Sequence, residues 1–136
     1  MSKSLVGKTI VAVFLTEDGG EIRFDLSDGT SVVARADGDC CSHSWIEAVE
    51  MPALGLPATV ISSEPLDLDK PDVTNDDYEC LRFYGHKIVT DRGEIVIDYR
   101  NSSNGYYGGN LSWPEDDYFY GGVFGQNISN GKWRQL

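Results

Sequence analysis

The chain reads as a mainly β, α+β domain: an antiparallel sheet or open barrel-like meander with one short helix near residues 43–50. Three observations predict this class. Runs of β-branched and aromatic residues recur at short intervals, turn signals rich in Gly and Asp separate them, and several runs alternate polar with apolar side chains, the period of a half-buried strand. A length of 136 residues suits one domain, 1–136, in which roughly two thirds of the unfolded surface can be buried.

The elements follow in order. Lys8–Thr16 is a first strand, closed by the turn Glu17-Asp18-Gly19-Gly20. Gly20–Leu26 places Ile22, Phe24 and Leu26 on one face, and Ser27-Asp28-Gly29 turns the chain into a third strand, Thr30–Ala36. After Gly38-Asp39-Cys40-Cys41, Ser42 caps a helix expected from His43 to Glu50, with Trp45, Ile46 and Val49 at helical spacing and Met51-Pro52 as its stop. Ala58–Ser63 is a short strand. Residues 64–79 hold seven acids, one lysine and two prolines and read as a solvated acidic loop. Cys80–Tyr84 and Lys87–Thr90 are strands expected to flank a turn at Gly85-His86. Gly93–Tyr99 then leads into the loop beginning Asn101-Ser102-Ser103-Asn104-Gly105-Tyr106-Tyr107-Gly108-Gly109, and Asn110–Trp113 is one further strand. The starts Gly20-Glu21-Ile22 and Gly93-Glu94-Ile95 suggest two similar hairpins. Residues 114–136 form an aromatic C-terminal extension with a hairpin expected at Asn130-Gly131. Tyr118, Phe119, Tyr120, Phe124 and Trp133 make that extension too apolar to stand in water alone, which points to folding back or to a homo-oligomer.

Composition narrows the function classes. A formal charge of −11 opposes a nonspecific hold on a nucleic-acid backbone, so direct nucleic-acid binding is not expected. A local basic pocket stays open, because Arg23, Arg35, Arg82 and Arg100 lie in strand-like runs that can converge on one concave face. No run approaches the ~20 apolar residues of a membrane span, and the first residues lack the apolar core of a secretory signal, so no membrane is expected and a cytoplasmic setting is. Three cysteines, Cys40, Cys41 and Cys80, do not make a disulfide framework, and in a reducing compartment the sequons at Asn101, Asn110 and Asn127 carry no glycan.

Most catalytic chemistries lack their pattern. Adjacent Cys40 and Cys41 with His43 do not offer the two-to-four-residue ligand spacing of zinc, so no metal and no cofactor are expected. Cys41 and His43 on one short loop are poorly placed as nucleophile and base. Asp37 and Asp39 open like a calcium loop whose glycine and closing glutamate are missing. Nothing selects two of the 22 acids as an acid/base pair. Ser42 at an expected helix start and Gly108-Gly109 qualify only loosely as anion nests.

Noncovalent recognition remains. Two short segments, each joining small polar residues to aromatic ones, carry the candidate ligand-binding residues. Asp39, Ser42, His43 and Trp45 come from the first. Arg100, Asn101, Ser103, Asn104, Tyr106 and Tyr107 come from the second, with Arg35 as a further cation. Tyr and Trp rings stack on flat ligands, Asn and Ser read polar edges, and Arg neutralises phosphate. The ligand class expected is a small phosphorylated or nucleotide-like molecule, with no catalytic residue. The bland reading has the tyrosines closing a sheet edge and Trp45 anchoring its own element.

Leu5-Val6-Gly7-Lys8-Thr9-Ile10, Gly38-Asp39-Cys40-Cys41-Ser42 followed by Trp45, and the Asn101–Gly109 run together resemble a family of small uncharacterised proteins encoded mostly by bacteriophages. The likeness covers about residues 5–113. It implies a setting in which small phage proteins act against host immunity. One such role is a sponge that sequesters a nucleotide-derived signal of the Thoeris or CBASS type. Alternatives are an acidic DNA mimic that inhibits a host nuclease or CRISPR-type complex, which would make a host defence protein the partner, and a nucleotide-processing enzyme. The two polar-aromatic segments favour the sponge, because a mimic needs distributed carboxylates and has little use for a Gly-Tyr loop.

Overall fold

The computed structural model describes residues 4–38, 43–68, 71, 73–74, 80–103, 109–114 and 133–136. Within them the chain forms strands β1 (Thr9–Thr16), β2 (Glu21–Leu26), β3 (Ser31–Gly38), β4 (His43–Glu50), β5 (Ala58–Leu66), β6 (Val73–Thr74), β7 (Cys80–Thr90), β8 (Gly93–Ser103), β9 (Gly109–Ser112) and β10 (Trp133–Gln135). Every ladder is antiparallel, in the order β4-β8-β7-β5-β1-β2-β3-β9, with β10 on β1 and β6 on β7. Among the described residues there is no helix, and none long and apolar enough to cross a membrane.

The sheet curls because its strands are bent at three bulges. Register shifts between Ile10 and Ala12, Ile46 and Ala48, and Val60 and Ser62 leave Val11, Glu47 and Ile61 as extra, exposed residues. A bulge bends its strand and adds right-handed twist. The result brings distant strands onto one core of Ile10, Val13 and Leu15 from β1, Ile22, Phe24 and Leu26 from β2, and Ile88, Ile95 and Ile97 from β7 and β8. Trp113, just after β9, is 1% exposed; its ring stacks on Phe24 at 5.8 Å and tilts against His86 at 5.0 Å, so it spans from β2 to β7 across the interior.

The path ends at β4 and β9 are not joined by a ladder, and side chains close the gap. Tyr84 and Tyr99, stacked at 5.3 Å, reach β9: the Gly109 amide donates to Tyr84 Oη at 3.2 Å, and Tyr99 takes a main-chain hydrogen bond from Leu111. These two amides lie two residues apart, on one edge of β9, so the hydroxyls cap donors that an open edge leaves unpaired. The Ile46 amide likewise donates to the Gly19 carbonyl at 2.7 Å, tying β4 to the β1–β2 turn. Gly19 fits there through its positive φ of +74° and its contact, since a Cβ would stand 2.6 Å from Ile46 O.

Several expectations are corrected. Residues 43–50 are a strand, not a helix. The bulge after Ile46 flips the alternation, so Ile46, opposite Tyr99, and Val49, opposite Ile97, both face the core at a spacing of three that imitates a helical stripe. Gly85-His86 is no turn; β7 runs unbroken from Cys80 to Thr90, and Gly85 serves close packing, because a Cβ would meet Leu68 Cδ2 at 2.8 Å and the Leu66 carbonyl at 2.9 Å. The acidic stretch 64–79 is not loop throughout, since β5 runs through Glu64 to Leu66 and Val73–Thr74 pair with β7. Asn101–Ser103 belong to β8. The hairpin expected at Asn130-Gly131, with the aromatic residues Tyr118 to Phe124, lies outside the described residues.

Candidate functional site where two connections leave the sheet

The connection from β3 to β4 and the connection from β8 to β9 leave the sheet at the same end. Their flanks are laddered together: Gly38 lies opposite Gly109, and His43 opposite Ser102. Side chains lock the junction. Asn101 Nδ2 donates to Ser44 Oγ at 2.8 Å, and Ser44 Oγ donates to the Asp37 carbonyl at 2.9 Å, so β8, β4 and β3 share one relay. Gly109 lets β9 press against it, since a Cβ there would stand 2.6 Å from Ser44 Oγ and 2.9 Å from Asn101 Cβ. Two segments about sixty positions apart in the chain therefore meet at their bases.

The strands divide the expected residues between two faces, because successive side chains of a strand point to opposite sides. On the core face, Asn101 is fully buried and lies opposite Arg82, with Tyr84 and Tyr99 as the next pair along β7 and β8. Burial pushes the Tyr99 phenol up to about 12, against the Leu111 hydrogen bond, so the ring stays neutral. On the outer face, Trp45, Arg100 and Phe83 form a row across β4, β8 and β7. Arg100 lies over the Phe83 ring at 5.0 Å and ion-pairs with Glu47 and Asp98, each at 3.6 Å, too long for hydrogen bonds. Its charge is thus balanced within the sheet. His43 stacks on Trp45 at 5.3 Å, and Trp45 Nε1 donates to Glu47 at 3.0 Å. His43 is exposed and sits close enough to Asp18 to help lower that carboxyl, whose depression comes first from the Gly20 amide and the Thr16 hydroxyl.

Arg35 stands apart from this group. It lies on β3 opposite Glu21 and Ser112, on the face away from Ala34 and Ala36 of the core, yet it is 8% exposed and Glu21 only 3%. Burial raises the Glu21 carboxyl, Arg35 opposes the rise, and Asp18 and Asp37 add to it. The four arginines expected to converge on one concave face do not: Arg82 shares the face of Asn101, Arg100 takes the opposite one, and Arg23 lies over Phe14 at 4.3 Å and Trp133 at 5.0 Å on the β1–β2 region. Asp39, Ser42, Asn104, Tyr106 and Tyr107, with Cys40 and Cys41, lie outside the described residues, and Ser103 is placed by its backbone, opposite Cys80. Cys80 itself is a buried free thiol. Among the described residues no three His, Cys, Asp or Glu gather as metal ligands.

Ser44, Tyr84 and Tyr99 escaped the sequence reading of the site, and Arg82 and Gly109 entered it only as part of a local basic pocket and a loose anion nest. The signal was present as alternation, Arg82-x-Tyr84-x-His86 and Tyr99-x-Asn101, which an expected turn at Gly85 and an expected loop at Asn101 obscured.

No curated protein and no solved structure matches the chain. A family model does match, over residues 3–113, which takes in β1 through β9 and both flanks of the junction. The chain belongs to the family described as domain of unknown function DUF7448.

Proposed function

We propose that the end of the sheet where the two connections leave is a noncovalent binding site for a small phosphorylated or nucleotide-like molecule, held and not transformed. One observation carries this reading: the bases of two segments rich in small polar and aromatic residues are fastened side by side by the Asn101–Ser44–Asp37 relay and the Gly38–Gly109 and His43–Ser102 pairings. Arg82, Asn101 and the tyrosine pair supply charge, a polar edge and ring faces from the core side. Trp45 and His43 supply a stacked rim from the outer side. Arg82 is the cation on the face of Asn101, whereas Arg100 lies on the opposite face, in ion pairs with Glu47 and Asp98. The biological role we attach to the site is sequestration of a nucleotide-derived immune signal by a phage-type anti-defence protein.

Calorimetric titration with cyclic di-AMP, cyclic di-GMP and cyclic ADP-ribose isomers tests it. Heat of binding is expected with at least one probe, weakened tenfold or more by Arg82→Ala, as loss of a charge-assisted hydrogen bond of roughly 1.5–3 kcal/mol requires. The bound probe should be recovered unchanged. No heat from any of them contradicts the reading, and new products by mass spectrometry would replace it with an enzyme.

A further inference from the structure

One row of side chains crosses the sheet on the side away from the apolar core and is nonetheless buried. Ser112 on β9 lies opposite Arg35 on β3, and Arg35 opposite Glu21 on β2. The Glu21 amide donates to the Thr16 hydroxyl on β1 at 3.0 Å, and Thr16 lies opposite Trp133 on β10. Their facing follows from alternation, since Leu111, Ala34, Ala36, Ile22 and Leu15, each one position away along the same strands, belong to the core. Ser112 is 0% exposed, Thr16 and Glu21 3% and Arg35 8%. The rows on either side are more open: Val33, Arg23 and Phe14 are half-buried, as is Asp37, and Asn110 is exposed. Same-face neighbours along a strand stand about 7 Å apart, so a buried strip one row wide has the width of a single extended segment laid across the strands.

The ends of the row name that segment. The chain leaves the sheet at Pro114, just past Ser112, and re-enters it at Trp133, opposite Thr16, so it departs from one end of the row and returns at the other. Four inter-strand steps separate β9 from β10, roughly 19 Å, and the 18 residues 115–132 can span up to roughly 60 Å. Among them are Tyr118, Phe119, Tyr120 and Phe124, rings large enough to exclude water from such a strip.

We propose that this row is the docking track of the chain's own aromatic extension, residues 115–132, which crosses the outer face from β9 to β10 and shields Ser112, Arg35, Glu21 and Thr16 from water. The extension then straps together strands that the ladder alone joins edge to edge. Because β9 also carries Gly109, the strap holds one flank of the candidate site in place. Desolvation, the first cause of the raised Glu21 carboxyl, has its source in the same cover.

Nuclear Overhauser contacts in the intact, uniformly labelled protein test the proposal. The Thr16 methyl and the Arg35 side chain should show contacts to ring protons of one or more of Tyr118, Phe119, Tyr120 and Phe124. In a mixture of labelled and unlabelled chains, filtered for contacts between chains, these should be absent. Contacts that persist in the filtered experiment mean that a second copy covers the row, and contacts missing from both samples mean that the extension lies elsewhere; either result overturns the proposal. Tyr118→Ser, Phe119→Ser, Tyr120→Ser and Phe124→Ser together should bring the Glu21 titration midpoint, followed by carbon-detected NMR, down toward 4.5 while the core shifts of Ile22, Ile95 and Ile97 stay in place. A midpoint that stays raised in that folded variant contradicts the assignment.

Discussion

At the scale of single residues, Glu21 is the most exacting test of the electrostatics. Its side chain is almost wholly buried on the face away from the apolar core, with Oε1 unbonded and Arg35 across the ladder. Burial raises its carboxyl above the ordinary value of 4.5. Below that value both folded and unfolded chains hold the proton. As pH rises from 4.5 toward the raised folded value, the unfolded chain ionises first, so stability falls. Glu21→Gln removes this dependence. Urea denaturation of the two proteins from pH 4 to 8 should show the variant gaining on the parent through that window and keeping its advantage above it; a constant difference would mean that Glu21 ionises in the folded chain as it does in the unfolded one. Little of this was legible in the sequence. Glu21 reads there as an ordinary strand residue and Arg35 as a candidate cation for a ligand, and only the ladder places them opposite each other.

Elements were legible where the alternation was regular and illegible where a bulge broke it. β1, β2 and β3 follow their turn signals to within two residues, because Gly and Asp turns bound clean period-2 runs. β4 was misread for a definable reason: one extra residue at Glu47 turned a period of two into a spacing of three. β7 was split because a glycine inside a strand looks like a turn, although here it makes room for Leu66 and Leu68. The capping of β9 by two tyrosines belongs to this scale as well. Phe in place of Tyr keeps the ring and removes the acceptor. Tyr84→Phe with Tyr99→Phe should therefore speed amide hydrogen exchange at Gly109 and Leu111 by roughly five- to tenfold, with smaller changes at Ile22 and Phe24. Unchanged exchange at both amides would mean that the hydroxyls do not hold that edge.

For the molecule as a whole, the class of fold could be read from the sequence, whereas its closure could not. Closure depends on which strands lie beside one another after several connections, and that order, β4-β8-β7-β5-β1-β2-β3-β9, has no local signature. The site shares this fate. The sequence marks two segments of unusual composition; their meeting follows only from β8 pairing with β4 while β9 pairs with β3. Arg82 shares the face of Asn101 while Arg35 lies apart opposite Glu21, since facing is decided by register and not by residue type. The measurement that tests the central claim most directly is amide chemical-shift mapping during titration with cyclic di-AMP and cyclic di-GMP. Shifts should gather at Asp37–Gly38, His43–Ile46, Leu81–Tyr84, Arg100–Ser103 and Gly109–Leu111. No shifts with either probe, or shifts gathered at the far end around Pro52–Gly55 and Thr90–Gly93, would contradict it.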